Sequence, residues 1–332
     1  MGLNEWLKAK KKSMAENRTD FSTLLEPIQK SSIRIIYDEN FSGELPAGSS
    51  KLGGKPDLPS DFQWYYYKGK SYEEEIAGLP PGILKYYNPD DAKYTTALPL
   101  SFIAQINLEE VHKYDKDNLL PPKGILYFFY ELENMPWGDI HSKGGAKVYY
   151  FSGNVSELQR TDYPADLKDE YKLPEMPMAF STKNELPDFE EFMQWYFDKF
   201  EWTQTDSYDN AKVKMGFESQ FGNEEQEMSK MNKLLGYANL IQGGMLMECE
   251  AGSRNIEIYP RKGGNSEKLT KNELQQLKDN CTKWQLLFQL ESIQLKDYEM
   301  LWGDAGRIYF YINTDDLVKC NFDNCWLILQ CY

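Results

Sequence analysis

The sequence is poor in histidine and lacks the common catalytic and nucleotide-binding motifs. It has two histidines, His112 and His141, in 332 residues. A zinc site with three histidines is therefore impossible, and the zinc-protease pattern H-E-x-x-H is absent. The hydrolase pattern G-x-S-x-G, the EF-hand loop and both glycine-rich nucleotide-binding patterns are also missing. We therefore expect no bound cofactor and no metal, and we identify no catalytic residue.

Positive charge is scarce as well. Lys and Arg number 37 against 52 Asp and Glu, which gives a net charge of -15. Nucleic-acid binding needs a basic face, and an anionic membrane surface repels an acidic protein. We therefore expect neither nucleic acid nor a membrane as a partner. An acidic surface suits a basic protein partner, although it can also serve solubility alone.

Long apolar runs and paired cysteines are also missing. No stretch approaches the roughly 18 apolar residues of a transmembrane helix, and the first residues carry no apolar run typical of a signal peptide. The five cysteines are odd in number and include no C-x-x-C pair. Their spacing fits no standard zinc site. We interpret them as buried reduced thiols and predict a cytoplasmic protein.

What the sequence does contain is an internal repeat. Three pairs of segments match, namely 101–110 with 285–294, 124–131 with 306–313 and, more weakly, 53–59 with 235–241. The offset is 184 from Gln105 to Gln289 and 182 from Gly124 to Gly306. Unrelated matches would rarely agree so closely, so we interpret the pattern as a duplication.

Hydrophobic periodicity indicates the secondary structure. Apolar residues alternate with polar ones in the repeated segments, which predicts half-buried strands. Further strands are predicted at 32–37, 146–151 and 325–331. Helices are predicted at 188–201, at 224–235 and from a capping box at Thr270 and Glu273 to about residue 280.

These elements predict an α+β protein with a mainly antiparallel sheet. Two related halves are expected to pack into one compact body. The predicted organisation is an N-terminal helical segment at 1–30, a first half at 31–161, a proline-containing connection at 162–187 and a second half at 188–332.

The tripeptide Trp-Gly-Asp occurs twice, at 137–139 and at 302–304. The first copy follows Gly124 and the second precedes Gly306, so the copies are out of register in the repeat. We therefore predict two tight turns whose tryptophans pack on a sheet edge, rather than one inherited site used twice. A binding role for either Trp-Asp pair is the alternative, and His141 lies beside the first pair.

A second candidate site is the paired glycine at 53–54. A turn is its ordinary interpretation, and an anion-binding nest of backbone N–H groups is the alternative. The candidate ligand-binding residues are therefore Gly53, Gly54, Trp137, Asp139, His141, Trp302 and Asp304.

Several motifs together resemble a known family. They are GGKPDLP, PLSFIAQINLEE, PPKGILYFFY, LLGYANLIQ, and WGDAGRIYFYI followed by WLILQCY. In this order, from about residue 30 to the C-terminus, they resemble the YwqG-like family of bacterial proteins, a domain of unknown function. The resemblance implies an α+β fold with internal duplication, and it implies no established activity. Some relatives are similar to immunity proteins that neutralise bacterial toxins.

Two functions remain open at this point. The first is a non-enzymatic protein-binding module that holds a basic partner with acidic runs such as 72–75 and 188–191, and an immunity-like role is one form of it. The second is a small-ligand or carbohydrate binder, or a weak enzyme. Its site would lie in a cleft between the halves, formed by Trp137, Asp139, Trp302 and Asp304.

Overall fold

One antiparallel sheet organises the computed structural model, which describes residues 26–69, 96–195, 231–256, 258 and 269–332. The sheet has ten strands. From one edge to the other they are β16 (Trp326–Gln330), β15 (Arg307–Asn313), β12 (Trp284–Glu291), β11 (Lys233–Leu235), β1 (Lys30–Tyr37), β10 (Met176–Glu185), β2 (Lys51–Leu52), β6 (Ser101–Asn107), β7 (Ile125–Tyr130) and β8 (Ala146–Phe151).

Smaller elements surround this sheet. Three two-stranded ribbons pair β3 (Asp57–Pro59) with β9 (Leu158–Arg160), β4 (Tyr66–Tyr67) with β5 (Leu98–Pro99), and β13 (Ile293–Gln294) with β14 (Glu299–Met300). The described helices are α1 (Leu108–Val111), α2 (Phe189–Trp195), α3 (Leu246–Ser253), α4 (Lys271–Cys281) and α5 (Thr314–Val318). The chain is thus mainly antiparallel β structure with some helices.

The sheet curls into a nearly closed barrel whose interior is packed. The Phe128 ring of β7 lies 4.5 Å from that of Phe288 on β12 and 5.1 Å from that of Phe310 on β15, although these strands are distant in the sheet order. Such aromatic contacts join the two ends of the sheet through a common apolar core.

Most predicted elements are confirmed where the structure describes them. Strands occupy the predicted segments 32–37, 146–151 and 325–331. At the start of α4, the Glu273 amide donates to the Thr270 hydroxyl (3.2 Å), and the Glu273 carboxylate accepts from the Thr270 amide (2.7 Å), as a capping box requires.

Other helix predictions are confirmed in part, lie outside the described residues or are wrong. The predicted helix 188–201 is present as α2, and its last six residues are outside the described part. So are residues 1–25 of the predicted N-terminal helix and 224–230 of another. For the last residues of this second helix the prediction is wrong, because Lys233–Leu235 form strand β11. This strand pairs with both β1 and β12, and these neighbours outweigh the local helical preference.

The centre of the sheet is formed by β1 and β10, which pair with each other along their length. On its other side β1 pairs with β11, and β10 pairs with β2. The N-terminal strand β1 thus adjoins β11, which lies about 200 residues later in the chain. Strand β10 in turn adjoins β2, which lies about 120 residues earlier. Strand β10 lies inside the predicted connection 162–187, where its polar residues and Pro177 obscure any strand pattern.

Matching contacts occur on the two sides of this centre. The Gln105 side chain accepts from the Asp57 amide (2.9 Å) and donates to the Ser49 carbonyl (2.8 Å). The Gln289 side chain accepts from the Asn239 amide (2.9 Å) and donates to the carbonyl of Met231 (2.8 Å). Both glutamines therefore connect a buried strand to the loop that covers it.

Backbone shape repeats as well. Gly53 and Gly54 have φ values of 58° and 65°, and Leu235 and Gly236 have φ values of 59° and 73°. The Tyr127 hydroxyl donates to the Asp57 carbonyl in one part of the barrel. In the other part the Tyr309 hydroxyl donates to the carbonyl of Asn239 (2.7 Å).

Candidate functional site

The first Trp-Gly-Asp loop is fixed on the edge strand β16. The Trp137 carbonyl accepts from the Leu329 amide (3.1 Å), and the Gly138 carbonyl accepts from the Trp326 indole (2.7 Å). A Cβ atom on Gly138 would lie 1.9 Å from the Leu327 carbonyl oxygen, and the φ of Gly138 is 95°. Only glycine allows this close approach, so the loop covers the edge of β16 at a fixed distance from the strand.

The fixed backbone displays an aromatic side chain. Trp137 is 50% exposed, although its backbone is bonded to β16. Asp139 accepts from the Ser142 hydroxyl (2.6 Å) and, through its carbonyl, from the Ser142 amide (3.0 Å). His141 lies in the short 3-10 turn that follows, and only its backbone is described.

Two cavities lie on either side of this loop. The first, which we call the Glu248 cavity, has a volume of about 390 Å³. Its walls come from the loop, from helix α3 and from β16, and they include Trp137, Asp139, Ile140, Gln242, Glu248 and Ile328. Of the described residues that line it, two are carboxylic acids and none is basic.

Helix α3 places Glu248 in this cavity. The Gln194 side chain of α2 accepts from the Met247 amide (3.1 Å), and Gly252 packs directly on the Trp326 indole. Within the described part of the chain, the Glu248 carboxyl makes no hydrogen bond or ion pair. Burial therefore raises its pKa to about 7.

Glu250, two residues along α3, has a different environment. Its carboxylate accepts from the Trp284 indole (2.8 Å) and forms an ion pair with Arg254. The other titratable groups near Glu248 are Asp139 across the cavity, Cys249 and Tyr311. Burial, followed by the nearby carboxylates, raises the pKa of both the Cys249 thiol and the Tyr311 hydroxyl.

The second cavity, which we call the Asp316 cavity, has a volume of about 540 Å³ and shares Gly138 and Asp139 with the first. Its walls include side chains of both charges and two tryptophans, namely Lys147, Glu250, Trp284, Asp316, Asp323 and Trp326. The Asp316 carboxylate accepts from the side-chain amides of Asn321 (2.7 Å) and Asn324 (3.1 Å). This acid is therefore already bonded.

The second Trp-Gly-Asp loop lies elsewhere and is packed. Trp302 is fully buried, and its ring lies 6.3 Å from that of Tyr130. Its amide donates to the Ser292 hydroxyl (3.0 Å), and the Asp304 carbonyl accepts from the Tyr332 amide (3.3 Å). Neither Trp302 nor Asp304 lines either of the two cavities. The structure thus does not bring the four Trp-Gly-Asp side chains into one cleft.

The paired glycines occupy a filled turn. The Gly53 amide donates to the Ile103 carbonyl (2.8 Å), and the Gly54 amide donates to the Leu173 carbonyl (2.9 Å). The Tyr163 hydroxyl donates to the Gly54 carbonyl (2.6 Å). Both N–H groups are therefore used within the protein rather than directed at an anion.

The acidic run 188–191 is not an open acidic surface. Phe189 and Glu191 are buried, and the Asp188 carboxylate accepts from the Leu240 amide (3.0 Å). Burial raises the pKa of the Glu191 carboxyl to about 7. The other acidic run, 72–75, lies outside the described residues.

Sequence reasoning selected Trp137 and Asp139, but it missed Glu248. One signal was available: Glu248 and Glu250 stand in the otherwise apolar segment GGMLMECEAG. Two acids on one short, mainly buried helix require partners or a functional explanation. In the parts of the chain described, no three or more His, Cys, Asp or Glu side chains are grouped as a metal site. The described helices include none that is long and apolar enough to cross a membrane.

The chain was also compared with known proteins. No curated protein matches it. Residues 50–331 match a family model described as a domain of unknown function, DUF1963. This match covers both Trp-Gly-Asp loops, both cavities and most of the barrel. The chain therefore belongs to the DUF1963 family.

Proposed function

We propose that this protein is a non-enzymatic binding protein that recognises a basic protein partner at the Glu248 cavity. The observation that carries the proposal is the half-exposed Trp137 at the edge of a cavity whose described charged groups are all acidic. Tryptophan is enriched among the residues that dominate protein interfaces, because it offers a large apolar surface of fixed shape.

The rigidity of the loop supports this proposal. Bonds from Leu329 and Trp326 hold the Trp137 and Gly138 backbone on β16 before any partner arrives. Binding therefore orders few groups, and more of the contact energy remains for affinity. The net charge of -15 also favours fast association with a basic partner.

Affinity purification from the native host at low salt tests this function. The tagged chain should retain a basic protein in stoichiometric amount, identified by mass spectrometry. Trp137→Ala should abolish retention. Tyr66→Ala provides a matched control, because Tyr66 is 47% exposed and lines neither cavity. Equal retention by the Trp137→Ala and Tyr66→Ala variants would contradict the proposal.

The second candidate is a small-ligand or carbohydrate binder, or a weak enzyme, that uses the Asp316 cavity. This cavity is the larger of the two and combines charged groups with the walls of Trp284 and Trp326, as sugar sites often combine polar and aromatic groups. Mass spectrometry of the purified protein under native conditions tests this alternative. A retained small molecule that is lost on Asp323→Asn would favour it over the protein partner.

We also infer that the two parts of the barrel arose by duplication and exchanged their first strands, β1 and β10. The matching bonds of Gln105 and Gln289 and of Tyr127 and Tyr309 support this origin. Superposition of the two parts in an experimental structure should place these pairs on one another. A shift of one residue would reverse the faces of the strands and contradict a common origin.

Three narrower proposals follow from the same features. The sequence motifs support a place in the YwqG-like group of the family. An immunity-like role would be a specific form of protein binding, with a basic toxin as the partner. All five cysteines are free thiols, although Cys320 is exposed rather than buried as predicted. Free thiols support a reducing compartment such as the cytoplasm.

A further inference from the structure

Resting on the proposed function, we infer that the Glu248 cavity binds the ammonium group of a lysine side chain on the partner. Glu248 is the acceptor of this ammonium group, and Trp137 covers the methylene stem. The site thus recognises one inserted lysine rather than a diffuse basic surface.

Glu248 differs from three buried carboxylates of the protein that each lie beside a cation. Glu250 has Arg254, Glu291 has Arg307, and Glu185 has both Arg34 (2.5 Å) and Lys233 (2.9 Å) as cationic partners. In the described residues Glu248 has no such partner, although its side chain is half-buried. An unpaired carboxylate in such a place is costly, and a cation supplied from outside would remove this cost.

The hydrogen-bond acceptors in the cavity favour a compact cation. Gln330 cannot accept further, because its side-chain oxygen already accepts from the amides of Ile241 (3.0 Å) and Gln242 (3.1 Å). Asp139 already accepts from Ser142. A guanidinium has five N–H donors to satisfy, whereas an ammonium has three, so an ammonium needs fewer of the acceptors that remain in this cavity.

The apolar walls of the cavity suit the methylene stem of a lysine side chain. Trp137, Ile140 and Ile328 provide apolar surface beside the carboxyl of Glu248. A lysine side chain has four methylene groups that pack on such surface while its charged end reaches a carboxylate. The face of Trp137 also attracts an ammonium group, since an indole ring carries negative charge on its faces. The half-exposed position of Trp137 favours a side chain that projects from a protein surface.

The test is calorimetric titration of the full chain at pH 8 with Nα-acetyl-lysine N-methylamide. The same amide of norleucine has a similar stem without the charge, and it should bind roughly tenfold more weakly or worse. Glu248→Gln should weaken binding of the lysine amide by about the same factor. Glu170→Gln removes an exposed acid outside the cavity and should leave the affinity unchanged. Glu248→Asp, which keeps the charge, should restore part of the binding.

The outcomes separate this inference from the proposed function. Equal binding of the lysine and norleucine amides, or equal affinities of the Glu248→Gln and Glu170→Gln variants, would overturn the lysine assignment. The proposed function would still stand if the native partner were lost on Trp137→Ala. Tighter binding of putrescine than of the lysine amide would overturn the assignment to a protein side chain. A melting temperature of Glu248→Gln at or above that of the wild type is expected, and it would show that lost binding does not reflect misfolding.

Discussion

The two Trp-Gly-Asp loops share a sequence and meet the same C-terminal strand, yet they have opposite surroundings. Trp302 is fully buried against Tyr130, whereas Trp137 is 50% exposed beside a cavity. The common feature is the glycine, which has a positive φ in both loops. The comparison shows that the tripeptide specifies a turn, and that its place on the barrel decides whether the tryptophan packs in the core or is exposed at the surface.

The tryptophans themselves should give the largest difference. Trp302→Ala should lower the free energy of unfolding by about 3–5 kcal/mol, because it empties a packed site. Trp137→Ala should cost about 1 kcal/mol or less, since half of this side chain already contacts water. Urea denaturation of both variants measures the difference. Similar losses for the two would remove the distinction between a core tryptophan and a displayed one.

For the loop glycines, the substitution in the first loop should cost more stability than the one in the second loop. Gly138→Ala should cost about 2–3 kcal/mol, because its Cβ would meet a strand carbonyl that cannot move freely. Gly303→Ala should cost about 1 kcal/mol, since its φ of 58° is tolerated better and its Cβ would lie 3.1 Å from the Cys331 sulfur. Thermal denaturation of the pair tests this order. A cost for Gly303→Ala that equals or exceeds the other would contradict it.

The matching glutamines extend the comparison to the two parts of the barrel. Gln105→Ala and Gln289→Ala should each lower the free energy of unfolding by about 1–3 kcal/mol, because each leaves a buried backbone amide without its acceptor. The two costs should be similar if the two positions are equivalent. Chemical denaturation of the single and double variants measures them, and a neutral effect at one position would break the equivalence.

Glu248 should produce an effect of another kind, which is a dependence of stability on pH. Its pKa is raised from 4.5 to about 7, so the folded protein holds a proton in this range that the unfolded chain has released. The contribution of this group is fully present below pH 4.5 and is lost as the pH rises to about 7. Glu248→Gln should remove this part of the decline, whereas Glu170→Gln should keep it. Identical pH profiles for the two variants would contradict the assignment.

The sequence predicted much of the barrel but less of the site. Strands 101–107 and 307–313 were recognisable from their alternating apolar residues. Both faces of each strand are buried, however, rather than one face as predicted. Strand β10 was missed because most of its residues are only partly buried and it includes Pro177. Its place depends on pairing with β1, which is distant in sequence.

The Glu248 cavity, like strand β10, depends on contacts between segments that are distant in sequence. The turn at Gly138 was predictable from local residue types, and Trp137 and Asp139 were among the candidates. The role of Gly138 beside the Leu327 carbonyl, and the lack of a partner for Glu248 among the described residues, depend on contacts between distant segments. No local pattern carries that information, so Trp302 and Trp137 could not be distinguished from the sequence.

The most direct test of the account is ¹⁹F NMR of the protein labelled with 5-fluorotryptophan. Its eight tryptophans give resolvable signals, and Trp→Phe variants assign those of Trp137 and Trp302. We expect Nα-acetyl-lysine N-methylamide at pH 8 to shift the Trp137 signal and to leave the Trp302 signal in place. The shift should disappear in Glu248→Gln. An unchanged Trp137 signal at a saturating concentration of the amide, or a shift confined to Trp302, would contradict a lysine site beside the first loop.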